Sequence, residues 1–223
     1  MLKPVSTINY YLSSLPTLIK GINLSYIPSV LFKKPILIKL KKEKLEFYVQ
    51  GIMDIWIVKE VVLDRCYERV RKIQQNDFVI DIGASIGDFS ILASKEAKFV
   101  YSYEINKARI SLMEKNIRIN NCKNIKLFEK RARTLDSIFE ENKIRKCNFL
   151  KIDCEGCEYE IFKNTSPKYL SRIEFIALEA HTFNKKMVTE YKNLILMLKQ
   201  NKFKTREEVN PVHSHIKLLF ASK

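Results

Sequence analysis

The stretch DFVIDIGASIGDF, residues 77–89, decides how the rest of the sequence is interpreted. It begins with a short apolar run that is typical of a buried strand, and it continues through two glycines into a helical pattern. Gly83 lets the chain turn with an unusual backbone angle, and Gly87 lets the backbone approach a ligand closely. The glycine spacing is G-x-x-x-G, which differs from the dinucleotide-binding G-x-G-x-x-G. The stretch therefore predicts a strand, a tight turn and a helix at a ligand site.

Strand and helix patterns alternate after this stretch. The apolar runs are FVYSYEI (99–105), NIKLFEKRA (124–132), CNFLKID (147–153) and IEFIALEAH (173–181), and each is followed by a helical pattern. This alternation predicts a parallel sheet with helices on both faces. The chain closes with two strand patterns and no helix between them, which predicts an antiparallel edge. We therefore expect an α/β fold with a seven-stranded, mostly parallel sheet and an antiparallel C-terminal strand.

Residues 1–50 are predicted to form an N-terminal helical and hairpin extension, and residues 51–223 the main domain. The segment INYYLSSLPTLIKGI (8–22) could lie on a membrane surface or pack on its own domain. The segment PILIKLKKEKLEFYV (35–49) predicts two strands around a turn. Helical spacing begins at Asp54, which we expect to be the N-cap of the next helix.

Composition favours one domain and anionic partners. The chain has 223 residues, with 40 Lys and Arg against 25 Asp and Glu, so its net charge is +15. Nucleic acid, phospholipid headgroups or phosphorylated substrates would complement this charge, although a solvated Lys-rich surface also accounts for it. The five cysteines show no disulfide framework and no secretory signal is evident. We therefore expect a cytoplasmic protein with reduced thiols, and a peripheral membrane contact through residues 1–34 is the alternative to a fully cytoplasmic location.

The ends of the first two strands predict a cofactor site. Glu104 ends the second strand, 23 positions after Asp81, and a carboxylate there can accept both hydrogen bonds of a ribose diol. The alternative is that Glu104 caps the next helix. Ligands of such sheets lie beyond the carboxyl ends of the strands. The candidate cofactor-binding residues are Asp81, Gly83, Ala84, Ser85, Gly87, Glu104, Ile105 and Asp153.

The stretch KIDCEGCE, residues 151–158, follows the fourth strand of this series. Its Cys154-x-x-Cys157 spacing suggests a zinc or redox site, but zinc needs four ligands and the sequence has no second cysteine pair. His213 and His215 are more simply explained by packing. We therefore predict no metal.

The run TLDSIFEENKIRKCNFLKIDCEGCEYEIF, residues 134–162, resembles the FkbM family of methyltransferases, and the resemblance extends over about residues 45–182. It implies a Rossmann-like class I methyltransferase fold with S-adenosyl-L-methionine as cofactor. Asp81 would then face the ammonium of the cofactor, and the turn amides its carboxylate. The resemblance also implies that Cys154 and Cys157 are small spacer residues.

The candidate catalytic residues are Asp153, His181 and Glu155. Asp153 is the first choice to orient or deprotonate the acceptor, and His181 is the second because only histidine titrates near neutrality unperturbed. The Gly156 turn is expected to aim Glu155 into the cleft, and Glu179 would position the substrate or support the cofactor. Asp153, Glu155 and His181 would also suit a divalent cation.

Three functions remain in view. The first is an O-methyltransferase acting on a hydroxyl or carboxyl of a sugar, glycan precursor or secondary metabolite, and the acceptor could be phosphorylated or lipid-linked. This class follows from the FkbM resemblance. The second is an RNA (tRNA) methyltransferase, which the positive charge favours. The third is a non-catalytic module that binds adenosyl compounds or a membrane surface.

Overall fold

A seven-stranded sheet forms the centre of the computed structural model, which describes residues 4–22, 34–210 and 212–223. The strand order is β5-β4-β3-β6-β7-β9-β8, and β9 is antiparallel to both of its neighbours. The strands are β3 (Phe78–Ile82), β4 (Phe99–Glu104), β5 (Ile125–Glu129), β6 (Cys147–Ile152), β7 (Ile173–His181), β8 (Lys204–Val209) and β9 (Ile216–Ser222). The predicted sheet, including its antiparallel C-terminal strand, is confirmed.

Helices connect the parallel strands. They are α3 (Asp88–Ser94), α4 (Lys107–Ile119), α5 (Leu135–Glu141), α6 (Glu158–Lys163), α7 (Pro167–Leu170) and α8 (Lys185–Gln200). Residues 158–172, whose pattern predicts one helix, form two. The break occurs because Pro167 has no backbone N–H and forces the residue before it, Ser166, into an extended conformation.

The N-terminal part consists of α1 (Pro4–Gly21) and a hairpin of β1 (Ile36–Leu40) and β2 (Leu45–Val49). The hairpin agrees with prediction. Helix α1 runs through Pro16 without a break. Residues 23–33 lie outside the described part. Among the described helices, none combines the length and the apolar character needed to cross a bilayer.

The segment after the hairpin forms α2 (Ile52–Val58), a π-helical turn (Lys59–Leu63) and a short 3-10 helix (Cys66–Glu68). Gly51 is the N-cap of α2, with φ +101°, so the expectation that Asp54 caps this helix is wrong. The Asp54 carboxylate lies in the first turn, where it accepts a hydrogen bond from the Gln50 amide at 2.7 Å.

Apolar side chains cover both faces of the sheet. Successive strand residues point to opposite faces, and Val79 and Ile80 accordingly belong to different hydrophobic clusters. Phe47 and Val49 of the hairpin are fully buried in the same cluster as Val79. The hairpin therefore shares core with the sheet, and the division of the chain at residue 50 stays a prediction.

Candidate active site

The predicted site residues gather along one rim of the sheet. Strand β3 pairs in parallel with both β4 and β6, and β6 pairs in parallel with β7. Gly83, Glu104, Asp153 and His181 lie at or just beyond the carboxyl ends of these four strands. Since neighbouring parallel strands end at the same edge, these residues share that edge.

The turn after β3 needs glycine because two backbones meet there. Gly83 has φ +78°, and a Cβ atom on it would lie 1.7 Å from the Asp153 carbonyl oxygen. Gly87 has φ +85° and begins α3, and a Cβ on it would lie 2.9 Å from Met113 Cγ. In this structure the glycines therefore allow close internal packing, and the crowding neighbour of Gly87 is a side chain of α4.

The amides of the turn are engaged within the protein. The amides of Gly83 and Ala84 both donate to the Tyr103 carbonyl at 3.0 Å. The Ser85 amide donates to Glu104 Oε2 at 2.8 Å. We expected these amides to face a ligand carboxylate. They instead donate to the Tyr103 carbonyl and the Glu104 carboxylate, and so link the turn after β3 to the end of β4.

Glu104 is held at the rim by three backbone donors. Its Oε1 accepts hydrogen bonds from the amides of Ile105 and Asn106 at 2.8 Å, and its Oε2 accepts the Ser85 amide. The N-cap of α4 is Asn106, which argues against the alternative role of Glu104 as a helix cap. A carboxylate has about four lone-pair sites, so one site, on Oε2, remains for a ligand hydroxyl. Ile105 beside it is exposed.

Asp81 lies beneath the turn and is fully buried. Its Oδ2 accepts a hydrogen bond from Ser90 Oγ at 2.5 Å, and its Oδ1 lies 3.0 Å from Lys151 Nζ. Lys151 also donates to the Gly83 carbonyl at 2.7 Å. Through these two contacts Lys151, on β6, holds β3 and the turn that follows it. Burial would lower the pKa of Lys151, but the carboxylates of Asp81 and Asp153 outweigh it and raise that pKa. The expectation that Asp81 faces a ligand ammonium is therefore not met.

Asp153 follows β6 and is oriented by Tyr67. The Tyr67 hydroxyl donates to Asp153 Oδ2 at 2.9 Å, and the Asp153 amide donates to the Ile82 carbonyl at 2.9 Å. Burial, and then the Asp153 charge, raise the pKa of Tyr67, so Tyr67 stays protonated and remains a donor. Sequence reasoning missed Tyr67, because no motif marks a residue 86 positions before its partner.

His181 is buried at the end of β7, and Glu158 orients its ring. Its Nδ1 lies 3.0 Å from Glu158 Oε1, which also accepts the amides of Cys154 and Gly156 at 3.2 and 3.1 Å. Burial opposes the charged imidazole, but the hydrogen bond to Glu158 prevails and raises the pKa of His181. Glu158 was not among the predicted site residues, although it closes the Asp-x-Glu-Gly-x-Glu pattern.

Glu179 completes a three-residue cluster with Asp153 and His181. One donor atom from each of the three lies within 4.8 Å of the others. Glu179 Oε1 is 3.6 Å from His181 Nε2. Burial, and then the charge of Asp153, raise the pKa of Glu179 above its usual range. The cluster thus brings together two of the three predicted catalytic residues.

The third predicted catalytic residue, Glu155, lies outside this cluster. It is exposed at the top of the turn, with φ +53°. Cys154 and Cys157 on either side of the turn form a disulfide with a Cα–Cα distance of 5.5 Å. The expectations that Glu155 enters the cleft and that both cysteines are reduced spacers are wrong in this structure. The disulfide closes the turn and leaves Glu155 at its apex.

Negative charge predominates in the interior of the site. Besides Asp81, the carboxylates of Asp88 and Glu158 are buried and those of Asp153 and Glu179 are half-buried. The nearby basic side chains are Lys151 and His181, and His181 is cationic only when it is protonated. Burial raises the pKa of Asp88 to about 7, and Lys151 opposes this shift. A cationic ligand such as a sulfonium would fit this surplus.

The outer rim has the opposite charge. Exposed basic side chains follow the carboxyl ends of β4, β5 and β7, and they include Lys107, Arg131, Arg133, Lys185 and Lys186. Of these, Arg131 pairs with Glu160 at 2.7 Å and Lys186 with Glu190 at 3.9 Å. The site therefore has an acidic interior, defined by the carboxylates named above, and a basic rim, defined by these five residues.

Two family models match different halves of the domain. Residues 51–149 match the TRM5/TYW2 methyltransferase domain, and residues 123–205 match the methyltransferase FkbM domain. The FkbM resemblance is thereby confirmed over the second half. Glu104 lies in the first match, and the cluster of Asp153, Glu179 and His181 lies in the second.

Curated relatives match shorter segments. An uncharacterized RNA methyltransferase of Caldanaerobacter subterraneus is 27% identical over 127 residues, which is 56% of this chain and 28% of that protein. The tRNA (guanine(37)-N(1))-methyltransferase Trm5b of Methanocaldococcus jannaschii is 45% identical over 51 residues, 23% of this chain and 15% of its own. The chain thus spans less than a third of the length of either relative.

A solved structure agrees with the architecture. SMU.1697c of Streptococcus mutans, a methyltransferase in complex with SAH, has a TM-score of 0.53 and 18% identity, over 68% of this chain and 90% of its own. Together with the two family models, this similarity confirms the predicted class I methyltransferase fold.

Proposed function

We propose that this chain is an S-adenosylmethionine-dependent methyltransferase whose acceptor is a nucleotide of RNA. The observation that carries the proposal is the basic rim around the acidic interior, next to a fixed carboxylate at the end of β4. Phosphates of an RNA strand would contact the rim, while a single nucleotide would reach the interior. The similarity of residues 51–149 to TRM5/TYW2 domains, and the named tRNA and RNA enzymes among the relatives, support this acceptor.

Glu104 and the turn after β3 would hold the cofactor. Glu104 is fixed by three amides, so its remaining lone-pair site on Oε2 can accept a ribose hydroxyl without losing side-chain freedom on binding. The buried carboxylates around Lys151 favour a positively charged sulfonium. When bound, S-adenosylmethionine would supply its methyl group to an aligned nucleophile, and S-adenosylhomocysteine would leave as the carbon–sulfur bond breaks.

Asp153 and His181 would act on the acceptor. Tyr67 holds one oxygen of Asp153, and Glu158 holds Nδ1 of His181. The other oxygen of Asp153 and the Nε2 of His181 are then the atoms that can accept a proton from the acceptor as the new bond forms. Asp153 remains the first choice because it directly follows the central strand β6, next to the glycine turn.

A second acceptor class is an oxygen of a sugar, glycan precursor or secondary metabolite. The observation that favours it is the extent of the FkbM match, which includes the whole cluster of Asp153, Glu179 and His181. The TRM5/TYW2 match ends at residue 149, before Asp153. A phosphorylated or lipid-linked acceptor would again suit the basic rim.

Helix α1 supports a peripheral membrane contact of the kind a lipid-linked acceptor would require. Leu12, Leu15 and Ile19 are exposed and recur every three to four residues, so they lie on one side of the helix. Lys20 lies in its last turn. Flotation of the chain with anionic vesicles, but not with neutral ones, is the expected result. Flotation with neither would remove the membrane contact.

Transfer of a labelled methyl group tests these alternatives. The chain is incubated with labelled S-adenosylmethionine and either unmodified tRNA or a glycan extract, with Asp153→Asn as the variant that lacks the acceptor carboxylate. We expect label in tRNA with the wild type and little with Asp153→Asn. Label in the glycan fraction alone would replace RNA by the second acceptor class. Cofactor binding with no transfer to either would favour a non-catalytic adenosyl-binding module.

A further inference from the structure

The cluster of Asp153, Glu179 and His181 offers two carboxylate oxygens and one imidazole nitrogen at the carboxyl rim. We propose that these three side chains bind a divalent metal ion, with Mn²⁺ as the best-matched ion. The sequence pattern predicts no metal, and its nearest suggestion was a set with Glu155, which the structure places at the exposed apex of the turn. In the observed cluster Glu179, not Glu155, is the third residue beside Asp153 and His181.

The geometry of the cluster suits a small divalent ion. The three donor atoms lie within 4.8 Å of one another, and Glu179 Oε1 is 3.6 Å from His181 Nε2. An ion with ligand bonds of about 2.1 Å holds adjacent ligand atoms about 3 Å apart and opposite ones about 4 Å apart. Small side-chain rotations would therefore bring all three donors to one ion.

His181 presents its second ring nitrogen to the cluster. The residue is only 4% exposed, and its Nε2 lies 3.6 Å from Glu179 Oε1, which is longer than an ordinary hydrogen bond. The other nitrogen, Nδ1, is engaged by Glu158. An imidazole nitrogen that shares one cluster with the Asp153 and Glu179 carboxylates completes a donor set that can hold a cation.

Two ligands already have the supporting contacts that metal sites use. A carboxylate on the remote nitrogen of a histidine fixes its tautomer and ring orientation, which is the relation of Glu158 to His181. The Tyr67 hydroxyl holds Asp153 Oδ2 and leaves the other oxygen available. Glu158 also bonds to the loop that follows β6, so the same residue fixes the backbone next to Asp153.

Charge and donor type favour Mn²⁺ over softer ions. Lys151 is engaged by Asp81 and by the Gly83 carbonyl, which leaves the carboxylates of Asp153 and Glu179 without a full counter-charge. Cys154 and Cys157 are joined in a disulfide and supply no thiolate. Carboxylates suit hard ions and imidazole suits the transition metals, so a mixed set of this kind matches Mn²⁺.

The test of this inference does not depend on the acceptor or on methyl transfer. A bound ion would occupy the Asp153 oxygen and the His181 Nε2 that the proposed function assigns to the acceptor, so these atoms would not act as free bases in the metal-bound chain. Mn²⁺ binding is measured on the full chain without cofactor and without acceptor. A chain that binds Mn²⁺ but methylates nothing would keep the metal site and lose the proposed function. A chain that methylates RNA but does not bind Mn²⁺ would keep the proposed function and lose the metal site.

Electron paramagnetic resonance of free Mn²⁺ tests the site. The full chain is titrated with Mn²⁺, and the same titration is made with Glu179→Gln, His181→Gln and the control Glu174→Gln. Glu174 lies on the same strand β7 but near its opposite end, so the control is the same substitution away from the cluster. Circular dichroism confirms that each variant is folded.

We expect one Mn²⁺ per wild-type chain, bound with a dissociation constant below about 0.1 mM. Glu179→Gln and His181→Gln should each weaken binding by about tenfold or more, and Glu174→Gln should not. If one cluster variant does not fold, the other decides. Absence of wild-type binding up to about 1 mM, or equal binding by the folded cluster variants, would overturn the proposal.

Discussion

At the scale of single residues, Gly83 joins the turn after β3 to the loop after β6. A side chain there would meet the Asp153 carbonyl oxygen, which is backbone and cannot move aside. Gly83→Ala is therefore expected to lower the free energy of unfolding by about 3 kcal/mol or more, measured by urea denaturation.

Gly51→Ala is the matched control for this substitution. Gly51 also has positive φ, at +101°, but a Cβ on it would meet nothing within 4 Å. The Gly51→Ala substitution should lower the free energy of unfolding only by the cost of the backbone strain, about 1 kcal/mol. Equal losses in the two variants would show that strain alone matters at Gly83 and that the contact with Asp153 does not.

Asp88 should make stability depend on pH. Burial raises its pKa to about 7 in the folded chain, above its ordinary value. The folded state then binds this proton more tightly than the unfolded state. The contribution of Asp88 is fully present below the unfolded pKa of about 4 and declines as pH rises through about 7.

Asp88→Asn removes this dependence because the amide does not titrate. Relative to the wild type, the variant should therefore be more stable at pH 8 than at pH 5, by about 3 kcal/mol. Calorimetric unfolding at both pH values measures the difference. Glu96→Gln, an exposed position after the same helix, is the control. The same relative stability at both pH values would contradict the assigned shift.

Residues at strand ends could be predicted, whereas their supporting partners could not. Glu104, Asp153 and His181 follow apolar runs, and parallel strands bring such positions to one rim. Tyr67 reaches Asp153 across 86 positions of sequence, so only the folded chain reveals the contact. The burial of Asp81 was missed for a similar reason, because its partner Lys151 lies on another strand.

At the scale of secondary-structure elements, the loop between β6 and α6 is closed by the Cys154–Cys157 disulfide. Cys66, Cys122 and Cys147 are free thiols. Purified protein denatured without reductant should therefore show three reactive thiols, and five after reduction. Peptide mapping should place the linked pair at Cys154 and Cys157. Five reactive thiols before reduction would restore the expectation of reduced cysteines.

Helix and strand assignments were predictable where periodicity was long and caps were local. Thr134 and Asn184 accept amide hydrogen bonds at the starts of α5 and α8, and both lie where the patterns begin. The π-helical turn at Lys59–Leu63 was not predictable, because the apolar spacing there also fits a continuous helix. Tertiary packing decides such local departures.

At the scale of the whole molecule, the net charge of +15 is distributed so that the basic rim surrounds an acidic interior. Replacing Lys185 and Lys186 together by Glu should weaken tRNA binding by about tenfold and reduce its salt dependence. The matched control is Lys202→Glu with Lys204→Glu, at the far end of α8. If both double substitutions weaken tRNA binding equally in filter-binding assays, the total charge of the chain, and not the position of the rim, determines the affinity.

The topology of the whole sheet follows from the order of elements along the sequence. Alternating strands and helices predict parallel pairing, and the final strand pair predicts the antiparallel edge; both are observed. The shared core of hairpin and sheet could not be read from sequence, because apolar strands do not specify which surface they cover. The acceptor is likewise undetermined by topology, since one fold supports many substrates.

Calorimetric titration of S-adenosylmethionine into the wild type, Glu104→Ala and Glu114→Ala tests whether the rim of β3, β4 and β6 binds the methyl donor. Glu114 is an exposed acid on α4 and serves as the control. We predict binding to the wild type and to Glu114→Ala with similar dissociation constants, and binding to Glu104→Ala weakened by about tenfold or more. No heat of binding with the wild type, or full affinity in Glu104→Ala, would contradict a donor site at this rim.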